Sequence, residues 1–200
     1  MLKSLLEDAI KESGFLAIDL GSPGIEVKPG RYSPIYINMK TTWKNHHLLS
    51  RMSHELQRLC LDCDCVVGVE TGGSPYAVSI AQNLGISLLL ARKEPKDNIG
   101  ILAGGLNGDC HKFAIVDDVL ASGKSMEPAF KSIKDLGKQV VCVAILSYGM
   151  DDLIAEKYGI EVRTLYKIED LLDSLSTEER NKLSEYVKGY QEKLKSIITE

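Results

Sequence analysis

Two hundred residues, 44% hydrophobic and 26% charged, form an ordinary globular composition that excludes disordered, collagenous and disulfide-scaffold classes and fits one domain. The 24 Lys and Arg stand against 28 Asp and Glu, so the net charge of −4 offers no general attraction to nucleic acid or an anionic membrane surface. Any anionic ligand has to be held by a local arrangement of groups.

The chain opens with LKSLLEDAIKES, where Leu2, Leu5, Leu6, Ala9 and Ile10 recur at helical spacing and Gly14 stands at the C-cap position. Its acidic residues and the lack of a run of about 20 apolar residues argue against a signal peptide and a membrane span. Five cysteines, an odd number, point to a reducing compartment, and a cytoplasmic location is expected. Residues 15–38 read as short β pieces broken by Gly21-Ser22-Pro23-Gly24 and Pro29-Gly30, and a second helix is predicted over 42–61. From Asp64 onward, apolar strands (CVVGVE, ISLLLA, KFAIVDD, QVVCVAIL, VRTLY) alternate with helical stretches, the signature of a mostly parallel, doubly wound sheet covered on both faces. Ser176 and Glu179 stand at capping-box spacing before a charged amphipathic tail helix. The expected organisation is a single domain over 1–200: an N-terminal α+β region (1–64), an α/β core (65–170) and a helical tail (171–200).

Ligands of open parallel sheets bind beyond the carboxyl ends of the strands. The segment Phe113 to Ser125 reads there as a buried strand ending in Asp117 and Asp118, then a small-residue loop, Val119-Leu120-Ala121-Ser122-Gly123-Lys124-Ser125, that opens a helix. Backbone N–H groups in such a loop cradle a phosphate, Gly123 allows close approach, and the acids accept hydrogen bonds from sugar hydroxyls. Gly123-Lys124-Ser125 also imitates the end of a P-loop, but the first glycine of that motif is replaced by Asp118, which would repel a phosphate.

VDDVLASGKS is similar to the 5-phosphoribosyl 1-diphosphate (PRPP) signature of type I phosphoribosyltransferases. Three further segments resemble the orotate phosphoribosyltransferase branch: Lys28 to Asn38 (KPGRYSPIYIN), Arg92 to Lys96 (RKEPK) and Gly68 to Pro75 (GVETGGSP). The resemblance implies the type I fold with a small N-terminal hood over the core, and transfer of the 5-phosphoribosyl group of PRPP to orotate, giving orotidine 5′-monophosphate and diphosphate in pyrimidine synthesis. It implies Mg2+ bound mainly through PRPP, and a homodimer whose flap is shared between subunits. Lys28, Glu70, Thr71, Gly72, Gly73, Arg92 and Lys93 would bind the diphosphate. Asp117, Asp118 and the flap residue Lys96 would be catalytic, the loop Val119 to Ser125 would hold the ribose 5′-phosphate, and Tyr36 and Tyr148 would meet the base. Transfer to another nucleobase, or PRPP binding without transfer, stays open.

The stretch DNIGILAGGLNGD, with Gly100, Gly104, Gly105 and Gly108, suits a flap that excludes water better than a packed element. Two positions depart from the orotate branch: Asn98 stands where its members carry a loop histidine, and Tyr148 where an arginine meets the orotate ring. Cys60, Cys63 and Cys65 form C-x-x-C-x-C without a fourth ligand, and packing accounts for Cys60 and Cys65. His46, His47 and His54 sit on the polar side of the second helix and carry no expected role.

Overall fold

The computed structural model describes residues 2–95, 100–105 and 109–200. Among these, α1 (Leu2–Ser13) leads into β1 (Leu16–Ile18), β2 (Ile25–Lys28), β3 (Arg31–Ser33) and β4 (Ile35–Ile37). β1 pairs with β4 and β2 with β3, both antiparallel, giving two small ribbons above the main sheet. The helix predicted over 42–61 is shorter and interrupted. Met39–Lys44 forms a 3₁₀ turn, and α2 begins at His46 because the Asn45 side chain accepts from the His47 and Leu48 N–H groups. An asparagine that satisfies two orphan N–H groups competes with a continuous helix at that point. α2 ends at Arg58.

The main sheet contains β5 (Cys65–Val69), β6 (Ser87–Ala91), β7 (Leu102–Ala103), β8 (Lys112–Leu120), β9 (Gln139–Ser147) and β10 (Glu161–Lys167), in the order β10-β9-β8-β5-β6-β7. All pairings are parallel except β6 with β7. The helices α3 (Ser74–Leu84), α4 (Glu127–Lys134) and α5 (Asp151–Tyr158) connect them, and α6 (Ile168–Asp173) and α7 (Thr177–Thr199) complete the chain. The Ser176–Glu179 capping box is formed, with Ser176 accepting from the Glu179 N–H. α6 is an element the sequence pattern does not resolve.

Two apolar cores form because strand side chains alternate faces. Ala114 and Val116 of β8 pack with α1, α2, α3 and the N-terminal ribbons, whereas Phe113 and Ile115 pack with α4 and α5. α7 joins both: Leu183 and Val187 enter the first core, Leu194 and Ile198 the second. The glycine-rich segment expected as an unpacked flap contributes β7, whose Leu102 is buried in the second core, because the edge of β6 offers it a ladder. All five cysteines are buried and reduced, Cys63 with the others, and among the described residues no cluster of three His, Cys, Asp or Glu is placed to hold a metal. No described helix is long and apolar enough to cross a membrane.

After β5 the chain places β6 on one side and, after β7, β8 on the other, so the strand order reverses between β5 and β8. A crevice opens at such a switch point, beyond the carboxyl ends of the two strands. β8 is the strand that lines it, and Phe113, fully buried at its start, anchors it. Phe113→Ala is expected to destabilise the fold by about 3–5 kcal/mol through the cavity it leaves, measured by denaturant unfolding.

Candidate active site

β8 runs past the two carboxylates to Leu120, so Asp117 and Asp118 are strand residues and point to opposite faces. Asp117 continues the Phe113–Ile115 series and is only 5% exposed. Its Oδ1 accepts from the Asp118 N–H and its Oδ2 from Ser125 Oγ, both at 2.9 Å. Burial, and then the neighbouring Asp118 charge, hold its pKa well above the usual carboxylate range. Asp118 continues the Ala114–Val116 series toward the N-terminal ribbons and is half-buried. Its Oδ1 accepts from the Val119 N–H at 2.9 Å. The structure therefore separates two acids that the sequence presents as equivalent: Asp118 faces the crevice and Asp117 lies beneath it. The Tyr76 hydroxyl, 2.6 Å from Thr42 Oγ1, is pushed up to about 12 by burial, with Asp118 adding to the shift.

The turn from Glu70 to Gly73, at the end of β5, lies directly against this ledge. A Cβ on Gly73 would fall 1.8 Å from the Val116 carbonyl oxygen, and one on Gly72 would fall 2.4 Å from the Asp118 carboxylate carbon. A side chain at Gly73 would run into the β8 backbone, and one at Gly72 would displace the Asp118 carboxylate. The close approach of two backbones fixes Asp118 against the turn, and the Glu70–Thr71 peptide is cis. On the far side of the turn, Glu70, Thr71, Arg92, Lys93, Glu94 and Pro95 line a cleft of about 550 Å³. Arg92 Nη1 is buried without an acceptor among the described residues, a donor left for a ligand in that cleft.

The loop after β8 differs in detail from the sequence expectation. α4 begins at Glu127, not at Ser125: the Gly123 carbonyl accepts from the Met126 and Glu127 N–H groups, but Pro128 has no N–H to donate to the Lys124 carbonyl and carry that turn on as helix. Among the described residues, the backbone N–H groups of Ala121 to Ser125 meet no acceptor and are left as donors. Gly123 is required by its φ of +75°, since a Cβ there would make only ordinary 3.5 Å contacts with Ile154 and Tyr158. Ser125 turns inward to Asp117, Leu120 is buried in the core, and Lys124 is exposed. Val119, Ala121 and Ser122 are half-buried at the loop's mouth.

A second cleft, of about 620 Å³, lies between the N-terminal ribbons and the ends of β8 and β9. It brings together Lys28, Tyr36, Asp118, Val119 and Tyr148 of the sequence-derived set. Arg31, within the KPGRYSPIYIN segment but given no role there, also lines it, as do Tyr186, Tyr190 and Lys193 of α7, which lie outside every motif. The last three share one helix face at spacings of four and three, a stripe hidden in the sequence by the charged residues around it. Tyr148 is held by its own N–H to the Leu120 carbonyl and by Gln191 Nε2, which donates to the Tyr148 carbonyl, both at 2.9 Å. Lys96 and Asn98 lie outside the described residues, as does Gly108.

Residues 44–169 match the phosphoribosyl transferase domain. The chain is 30% identical to an orotate phosphoribosyltransferase of Pyrobaculum islandicum, over 88% of this chain and 89% of that protein. It also resembles two solved structures. One is the orotate phosphoribosyltransferase of Mycobacterium tuberculosis in complex with PRPP (TM-score 0.65, 19% identity, 85% of this chain and 98% of that one). The other is the adenine phosphoribosyltransferase of Leishmania tarentolae (TM-score 0.61, 17% identity, 84% and 90%).

The state of Asp117 has a measurable consequence. An acid whose pKa is raised by folding destabilises the native state increasingly as pH climbs from its unfolded value, about 3.9, toward the folded one. Asp117→Asn removes that charge. The unfolding temperature of the ligand-free variant is expected to exceed the parent's at pH 8 by at least about 2–4 °C, the shift of roughly 1 kcal/mol for a chain this long, with the gap narrowing at pH 5. An equal or lower value at pH 8 would show that the two hydrogen bonds of the carboxylate outweigh its burial.

Proposed function

The chain belongs to the phosphoribosyl transferase domain family and, within it, to the orotate phosphoribosyltransferases, and from that premise we propose that it transfers the 5-phosphoribosyl group of PRPP to orotate, releasing diphosphate and forming orotidine 5′-monophosphate. The observation that carries this reading is the Asp118 ledge pressed against the Gly72-Gly73 turn, between a cleft with cations and unpaired donors and a cleft walled by tyrosines. Leaving group and base thereby have separate places on either side of the ribose.

The free face of the Asp118 carboxylate is placed for ribose hydroxyls, and it stands where positive charge grows as the anomeric carbon loses diphosphate. Asp117 orders the end of β8 from below. The unpaired N–H groups of Ala121 to Ser125 receive the 5′-phosphate. Arg92, Lys93 and the backbone of Glu70 to Gly73 face the diphosphate, with Lys28 across the crevice. Tyr36 and Tyr148 border the base. The donor set around the ledge is hard oxygen, from Asp118 and Glu70, which suits magnesium held chiefly by the oxygens of PRPP. When bound, that ion offsets diphosphate charge. Lys96 belongs to the proposal through its motif position, as a flap cation serving the neighbouring subunit of a homodimer, and the enzyme is placed in the cytoplasm.

One observation favours a second base. The structural neighbour that acts on adenine shares this fold, and the end of β9 presents Tyr148 with no cation for a carboxylate. An assay of PRPP, magnesium and a panel of bases decides: orotidine 5′-monophosphate from orotate supports the first reading, and product only with another base replaces it. Asp117→Asn combined with Asp118→Asn is expected to remain folded and to lose at least about 100-fold in turnover, the scale of removing one preorganised group opposite developing charge. Undiminished turnover would remove the ledge from the mechanism. For the shared flap, Lys96→Ala mixed with the double variant is expected to regain activity through heterodimers that hold one intact site. No recovery after confirmed subunit exchange would confine Lys96 to its own subunit or to no site.

A further inference from the structure

The tyrosine-walled cleft has its cations in unusual places. Lys28 and Arg31 come from the β2–β3 ribbon and Lys193 from α7, while the strand ends contribute Asp118 and Tyr148. Some cations elsewhere are matched to acids, Arg163 with Asp62 and Glu161, Lys112 with Asp62 and Lys131 with Glu127, whereas the three of this cleft are not. Lys193 has no acidic partner among the described residues. Its neighbour Glu192 is taken by Lys195 at 2.6 Å, and the position one helical turn earlier is Gly189. An ammonium at the rim of a cleft, three residues beyond Tyr190 and seven beyond Tyr186, is a charge left available.

The aromatic wall is built with the lysine. Tyr186 and Tyr190 lie nearly parallel, 4° apart at 6.5 Å between ring centroids, and Tyr148 meets Tyr190 edge to face at 5.1 Å. Gln191 ties α7 to β9 through the Tyr148 carbonyl. Arg31 faces this wall from the opposite side, where its charge opposes the burial that raises the Tyr190 phenol. A flat, anionic ring therefore finds aromatic surface, and positive charge at the edge of that surface.

Resting on the reading of orotate as the base, we infer that Lys193 of α7 is a specificity-determining residue that receives the orotate carboxylate, so that the C-terminal helix forms one wall of the base site and supplies the cation that β9 lacks. The carboxylate is the feature that separates orotate from neutral bases. A lysine holds it as a point charge without fixing a bidentate geometry.

The test measures KM for orotate and for PRPP separately in the full-length enzyme. Lys193 is exposed, so its replacement leaves the core intact, and thermal unfolding checks that it does. Lys193→Gln is expected to raise KM for orotate about tenfold, the scale of one charge-assisted contact, at an unchanged KM for PRPP. Lys193→Arg is expected to restore most of the loss. Inhibition by orotamide, the neutral amide of orotate, is expected to be the same in parent and Lys193→Gln. The inference is overturned if KM for orotate stays within about twofold of the parent, or if orotamide weakens in parallel, which would mark Lys193 as a packing residue. If the parent forms no product from orotate, the substrate reading fails and this inference with it. A parent that turns over orotate beside an unaltered Lys193→Gln would refute the helix assignment alone.

Discussion

Everything at the site depends on how closely two backbones approach each other. The turn after β5 crosses β8 at Val116 to Asp118, where the β8 backbone leaves room for hydrogen alone at Gly73 and the Asp118 carboxylate lies against Gly72. Because neighbouring parallel strands are about 4.8 Å apart, a turn that leaves one strand end and packs onto the next has no space for a Cβ. The contact sets where Asp118 stands, how far the Glu70-Thr71 edge reaches into the cleft lined by Arg92 and Lys93, and therefore the distance between the two clefts. A larger residue at either glycine would have to push the turn away from β8, separating the carboxylate from the groups it works beside.

The sheet's two ends use charge differently. At the amino end of the strands, Asp62, Lys112, Glu161 and Arg163 form a cross-linked network, and the Asp62 carboxyl is held well below the usual range by Arg163 and Lys112. These pairs are exposed, so they contribute little stability and serve mainly to satisfy one another. At the carboxyl end, Lys28, Arg31, Arg92, Lys93 and Lys193 are without acidic partners among the described residues, and Asp118 keeps an open carboxylate face. Charges that are left unpaired beside a crevice raise the local concentration of an anionic ligand although the whole chain is acidic.

The parts of this design that reside in local pattern were legible in the sequence. Alternation along Phe113 to Val116 marks a buried strand, and the Ser176 to Glu179 spacing marks the start of α7. The loop Val119 to Ser125 carries its motif in contiguous residues. What was hidden depends on contacts between distant segments or on single side chains. The Asn45 cap splits a helix that periodicity alone would run through, and the edge of β6 captures Leu102 and Ala103 from a segment whose glycines suggest no packing. The division of labour between Asp117 and Asp118 follows from strand alternation, but only once the strand is known to continue through both. The tyrosine face of α7 was missed because a helix of 23 residues with many charges reads as solvated on every side except its core stripe.

Base selectivity is the property least fixed by the fold, since orotate and adenine transferases share it. The positions here bear this out in their distribution along the chain. Asp118, the Gly72-Gly73 turn, Arg92 and the donor loop all fall within residues 44–169, the span that matches the phosphoribosyl transferase domain. Of the residues lining the tyrosine-walled cleft, Lys28, Arg31, Tyr36, Tyr186, Tyr190 and Lys193 fall outside it, in the first and last segments of the chain, and Asp118, Val119 and Tyr148 fall within it. The two outer segments can close one cleft because α7 is anchored in both apolar cores, through Leu183 and Val187 in one and Leu194 and Ile198 in the other. Tyr186 and Tyr190 themselves pack against the two cores, so the aromatic face is held in place by the same contacts that seat the helix. On the proposed reading, ribose and phosphate meet the strands and their turns, and the base meets Tyr148 at the end of β9 together with elements laid over the sheet.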